Sequence, residues 1–143
     1  MLKSIYKKYT LNFSEERGTS RGWLQTKDSW FVKVWNSNNP EIIGIGECSY
    51  IPGLNPEQLD TYEEKIKEVC NRINEAEYWL NKGLIEFPSI HFGLETALLD
   101  LEKKVEKKVT KASNKDLKPK SFRCNQAKLD ELEEFRLRLE KLT

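Results

Sequence analysis

The spacing of apolar residues changes once along this chain, and that change dictates the fold class. Up to Glu47 the apolar side chains alternate; beyond Pro56 they recur at steps of three and four. A period of two belongs to a half-buried strand, and a period of 3.6 to a helix with one buried face. The first strand is expected over 4–13, where Ile5, Tyr9, Leu11 and Phe13 share a face. The polar, glycine-bounded stretch SEERGTSRG (14–22) reads as a loop. WLQTKDSWFVKVW (23–35) is rich in aromatic and β-branched residues and reads as the second strand. NSNNP (36–40) is a turn, and EIIGIGE (41–47) a third strand. Its Gly44 and Gly46 mark a bulge or a close backbone approach. Three strands joined by short connections predict an antiparallel meander.

After a loop, CSYIPGLN (48–55), Pro56 is expected to open a helix. Tyr62, Ile66, Val69 and Ile73 form its apolar stripe, which continues towards Trp79 and Leu80, with Gly83 as the stop. Pro88 and Ser89 open a second helix, lined by Ile90, Leu94, Ala97, Leu98 and Leu101 and extended by Val105 and Val109. Residues 111–120 read as a linker. Leu129, Leu132, Phe135, Leu139 and Leu142 then form the stripe of a C-terminal amphipathic helix. Strands followed by helices predict an α+β domain, with the helices on one face of a small three-stranded sheet.

The chain has 143 residues and a net charge of +1, but the charge is uneven. Residues 1–102 carry 11 basic and 16 acidic side chains; residues 103–120 carry 8 lysines against Glu106 and Asp116. This predicts an α+β unit over 1–102, a Lys-rich helix end and linker over 103–120, and the terminal helix over 121–143. No apolar run is long enough to span a membrane. The N-terminal residues lack the apolar core of a signal peptide. Three cysteines without CxxC spacing argue against a disulfide framework or zinc site, so a reducing cytoplasm is the expected compartment.

Side chains able to do chemistry are sparse. His91 is the single histidine and sits beside an apolar helix face. Cys48, read as a loop residue, would need a base such as His91 to act as a nucleophile, and nothing in the spacing joins them. Glu63, Glu64 and Glu68 fall on the polar face of an amphipathic helix, where solvation explains them. The EKKVEKKV run (102–109) reads as a helix with Glu–Lys pairs four residues apart. A polyanion patch is the other reading of these lysines, but they lack Arg forks and interleaved aromatics, which argues against nucleic acid. Two loops stand out: GTSRG (18–22) and GECSYIPGL (46–54). Small residues let backbone approach a ligand, and Arg21 can fork a carboxylate. The same loops also read as two ordinary turns.

These loops, together with FPSIHFGLETALLDL (87–101), carry a resemblance. The chain resembles the o-succinylbenzoate synthase family of the enolase superfamily, in its N-terminal capping domain. The matching pieces are YTLNF, GTSRG, WFVKVW, IGIGECS with PGL, YEEKI with the later VC and RIN, and FPSI with FGLETALLDL, covering about residues 5–101. The resemblance implies a capping domain that closes over a (β/α)₈ barrel. It implies that Thr19, Ser20, Arg21 and Gly22 in one loop, and Ser49, Pro52, Gly53 and Leu54 in the other, contact or cover a small carboxylate substrate. The chemistry it implies is that of a carbon–oxygen lyase of menaquinone biosynthesis. A barrel Lys abstracts the proton α to the carboxylate, and Mg²⁺ held by three barrel carboxylates stabilises the enediolate.

The chain departs from that pattern after Leu101. Only 42 residues follow, whereas a whole barrel domain runs to at least ~200. SFRCNQA (121–127) is similar to the third barrel strand, but Arg123 stands where the metal-binding Asp belongs. No catalytic residue, metal ligand or bound Mg²⁺ is therefore expected in this chain alone. The expected partners are a barrel on another chain or a second copy of this one; the alternative function is a stand-alone binding or self-associating module.

Overall fold

A computed structural model describes residues 1–20 and 22–114. Its elements are β1 (Leu2–Thr19), β2 (Gly22–Asn36), β3 (Asn39–Ser49), α1 (Leu59–Asn71), α2 (Ala76–Tyr78) and α3 (Pro88–Asn114). A 3₁₀ turn, Ile73–Glu75, leads into α2, and a π-helical turn, Trp79–Gly83, follows it. The strands form one antiparallel sheet in the order β1-β2-β3, and the helices cover one face. The fold is α+β, as the change of period requires. The compact unit runs from Met1 to Val109.

The even-numbered residues of β2 and β3 build the sheet's half of the core: Trp30, Val32, Val34, Ile42 and Cys48. Against them lie Tyr62, Ile66, Val69 and Ile73 from the first helical segment, and Ile90, Leu94, Ala97 and Leu101 from α3. Tyr62 is the hub of an aromatic cluster, with ring centroids 4.8 Å from Trp30, 5.4 Å from Tyr50 and 6.5 Å from Phe87.

Helix α3 rides unusually low on β3. A Cβ added to Gly46 would overlap the Gly93 carbonyl oxygen and lie 2.8 Å from Ala97 N. A Cβ on Gly93 would collide with Cys48 Sγ. The glycines of the third strand thus serve close approach rather than a bulge. α3 also seals the outer edge of β3. Asp100 Oδ2 accepts from Ile45 N at 2.9 Å, and Lys104 Nζ donates to Ile43 O at 2.8 Å. Lys108 pairs with Glu41 one turn further on. An open strand edge invites pairing with another chain, and polar side chains that occupy its N–H and C=O groups remove that template.

Several expectations are corrected. Residues 14–19 belong to β1 rather than to a loop, and 17–19 pair with 22–24, so β1 and β2 form a long hairpin that reverses between Thr19 and Gly22. Ile5 and Tyr9 do not face the core; they are 54% and 55% exposed on the outer sheet face. The helices cover the other side of β1, where Leu2 and Tyr6 pack on the core and Ser4 Oγ donates to Cys70 O at 3.0 Å. Cys48 belongs to β3 and is buried, not on a loop. α1 begins at Leu59 rather than Pro56, and residues 111–114 continue α3 rather than opening a linker. The expected C-terminal helix over 129–142 lies outside the described residues. No helix among the described residues is long and apolar enough to cross a membrane.

Candidate functional site

The strand register brings both candidate segments to one end of the sheet. Ser29↔Ser49 is the last β2–β3 pair. Beyond it β3 leaves into the 50–58 connection, while β2 continues with β1 alone to the Thr19↔Gly22 pair. That two-stranded arm extends seven residues past the three-stranded body, about 20 Å at a strand's rise per residue. Thr19, Ser20, Gly22 and Trp23 are exposed at its tip, and Thr19 Oγ1 donates to Gly22 O at 2.9 Å. Arg21 lies outside the described residues. The pairing slips midway: residues 13–16 stand opposite Gln25 alone, between the Asn12↔Thr26 and Arg17↔Leu24 pairs. At the arm's base, Glu47 accepts from Ser29 Oγ at 2.7 Å and Lys27 Nζ at 3.3 Å. Asp28 accepts from Thr10 Oγ1 at 2.7 Å. These bonds hold both carboxyls below their ordinary pKa.

The second segment is a tight turn on a buried footing. Ser49 is half-buried and Tyr50 buried, while Pro52, Gly53 and Leu54 are exposed. Leu54 N and Asn55 N both donate to Ile51 O at 3.1 Å. Pro52 supplies the fixed φ of the first central position, and Gly53, with φ of 75°, the left-handed second position of a type II turn. Below it, Glu57 is 4% exposed and accepts from Ser89 N at 2.6 Å and Asn55 Nδ2 at 3.0 Å. Burial works to raise the Glu57 pKa; the bonds from Ser89 and Asn55 outweigh it and leave the carboxyl below its ordinary value. Sequence reasoning assigned no role to Asn55 or Glu57. The available signal was a polar pair beside Pro56, ahead of the first apolar stripe. A groove of about 440 Å³ is lined by Glu57 together with Pro56, Gln58, Thr61, Ile85 and Phe87. Neither loop tip lines it.

The remaining candidates are structural. Burial pushes the Cys48 thiol up to about 12, and Cys70 is also raised by burial. His91 Nε2 bonds the Leu80 carbonyl at 2.9 Å, and its Nδ1 lies 4.0 Å from Glu95. Glu68 pairs with Lys65 and Arg72 along α1. No group of three or more His, Cys, Asp or Glu side chains that could hold a metal ion is present among the described residues. Because only the thiolate reacts, Cys48 and Cys70 are expected to resist iodoacetamide at pH 8 in the native protein and to react fully in guanidinium. Peptide mass spectrometry reads the difference; labelling of Cys48 before unfolding would contradict its burial under Gly93.

No family model matches the chain. A curated relative, the o-succinylbenzoate synthase of Desulfotalea psychrophila, is 28% identical over 127 residues, covering 67% of this chain and 34% of the relative. Among solved structures, an enolase family member from Agrobacterium tumefaciens with homology to dipeptide epimerases superposes with a TM-score of 0.61. It is 19% identical, over 76% of this chain and 32% of that one. A mandelate racemase/muconate lactonizing protein from Herpetosiphon aurantiacus gives a TM-score of 0.59 at 18% identity, over 72% of this chain and 30% of that one. The chain thus spans about a third of the length of each.

A three-stranded meander followed by helices, aligned with these proteins, is the capping-domain fold of the enolase superfamily. In sequence the chain is similar to o-succinylbenzoate synthase, over about a third of that protein's length.

Proposed function

We propose that this chain is the substrate-covering domain of an o-succinylbenzoate synthase-like enzyme. The observation that carries the reading is the register that sends the hairpin arm and the 49–54 turn from the same end of the sheet. The curated relative supports it by supplying the reaction class. Thr19, Ser20, Arg21 and Gly22 cover the substrate from one side; Ser49, Pro52, Gly53 and Leu54 cover it from the other. Their part is to exclude water and to fix the orientation of the carboxylate, which raises the rate without a proton passing through this chain. When bound, Mg²⁺ supplies charge stabilisation in such an enzyme. In this reading its ligands and the proton-abstracting Lys are assigned to a barrel, and the two loops take no part in holding it.

The test is formation of the aromatic product, followed by absorbance with Mg²⁺ present. Residues 1–143 alone are expected to give none. Added to the Desulfotalea relative lacking its own matched third, they are expected to raise product formation about 100-fold over that barrel alone, the scale of a positioning effect. Chelator-sensitive turnover by residues 1–143 alone would overturn the covering role.

A further inference from the structure

We propose that Glu57 is a positioning residue: it holds the 51–54 turn in its covering shape before any substrate arrives. The inference rests on the covering role given to that turn above. The supporting feature is one directed chain of hydrogen bonds. Ile51 N donates to Asn55 Oδ1 at 2.9 Å, Asn55 Nδ2 donates to Glu57 Oε2 at 3.0 Å, and Ser89 N donates to Glu57 Oε1 at 2.6 Å. Ser89 Oγ in turn meets Tyr62 Oη at 2.6 Å, at the hub of the aromatic cluster. The exposed turn is thereby tied to the first turn of α3 and to the core.

Two features show that more than helix capping is at work. First, the N–H groups of a helix's first turn are usually satisfied by a local Ser, Thr, Asp or Asn. Here Phe87 precedes Pro88 and has no side-chain acceptor, so the cap comes from a residue 32 positions away. It comes from the segment that also carries the turn. Second, a carboxylate this far from water is destabilising unless its oxygens are bonded. Both Glu57 oxygens are, one to the helix and one to the turn.

The polarity of the chain makes Glu57 specific. Asn55 must present its oxygen to Ile51 N, which leaves its amide group facing Glu57. The donors of Asn55 and Ser89 are aimed at different oxygens of Glu57, so an acceptor is needed at each place. Gln puts an oxygen at one of them and an NH₂ group at the other, and whichever way it or Asn55 turns, one bond in the chain is lost.

Amide hydrogen exchange on the full chain tests this. Glu57→Gln is expected to speed exchange at Ile51 about 10-fold, the scale of one lost hydrogen bond to a charged group, with Leu54 and Asn55 following. Leu94 and Ala97 in α3 and Val32 in β2 are expected to stay within about twofold, because a bond local to the turn leaves global opening unchanged. Asn55→Ala, which spares the bond to Ser89, is expected to give the same pattern, and the double variant no further acceleration. Equal acceleration through α3 and the sheet would make Glu57 a general stability residue and overturn the proposal. Unchanged exchange at Ile51 would overturn it too. The measurement needs neither substrate nor barrel, so its failure is separable from failure of the covering role, which the product assay alone decides.

Discussion

Replacing Gly46 by Ala is expected to destabilise the fold by about 3 kcal/mol, the upper end for overpacking a close-fitted core. On a unit of this size that lowers Tm by roughly 10 °C. The cause is local. The added methyl meets the Gly93 carbonyl and Ala97 N, which are backbone atoms of α3 and cannot rotate away as a side chain can. Relief requires the helix to rise off the sheet, and it is held there by Asp100 and Lys104 on the β3 edge. Gly93→Ala gives a sharper test, because two effects oppose. Ala is favoured over Gly in a helix interior by about 1 kcal/mol. Its methyl would nevertheless collide with Cys48 Sγ, so a net loss is expected. Gly18→Ala is the control: there the methyl meets only the exposed Trp23 ring at 3.3 Å, and a change within about 0.5 kcal/mol is expected. Thermal and denaturant melts followed by circular dichroism decide. A Gly46→Ala protein melting within 2 °C of the parent would show that α3 does not sit this close.

Trp79→Ala is expected to cost about 4 kcal/mol, near the limit of what a chain of this length retains. Trp79 is 2% exposed, and its Nε1 donates to Arg72 O at 3.1 Å. Tyr78 packs edge-on at 5.0 Å, and the Arg72 guanidinium lies over the indole at 5.1 Å. The truncation leaves a cavity and removes one of the two donors to the Arg72 carbonyl, which keeps Glu75 N at 3.0 Å. Trp30→Phe makes the contrast. Trp30 is 1% exposed, but its Nε1 has no hydrogen-bond partner among the described residues. Removing an unsatisfied buried donor offsets part of the lost packing, so a cost of about 1 kcal/mol or less is expected. Urea midpoints for the two variants read the difference. Equal losses would contradict the packing assigned to Trp79.

Much of this fold is legible in the sequence because one burial pattern dominates each element. Tyr62, Ile66, Val69 and Ile73 recur at helical steps and are all buried, as are Ile90, Leu94, Ala97 and Leu101. The phase of β1 is not legible. Both of its faces carry apolar residues, and alternation identifies a face without saying which one the helices cover. Ser4 lies on the covered face because its hydroxyl reaches the Cys70 carbonyl, a contact 66 positions away in sequence. The arm's strands are not legible either, because ladder hydrogen bonds are made by the backbone and are indifferent to polar side chains. Lys104 and Lys108 read as solvated, yet their spacing sets both on the β3 edge. The two candidate segments were visible as clusters of small residues. That they leave the sheet together follows from register, and the Asn55–Glu57–Ser89 chain from a contact across 32 positions; neither is encoded locally.

The slipped pairing in the arm has a consequence for how such a domain changes over evolutionary time. A shift of one residue in a strand normally turns every side chain to the opposite face and would wreck the core. Here four residues already face one, so the arm beyond Asn12 and Thr26 is uncoupled from the register of the sheet. Residues can be gained or lost between 13 and 25 without moving Trp30, Val32 or Val34. Insertions, deletions and new tip residues can accumulate there while the core stays fixed. On the covering role proposed above, the arm is thus the part of this domain on which selection can act for a new substrate at least cost to folding.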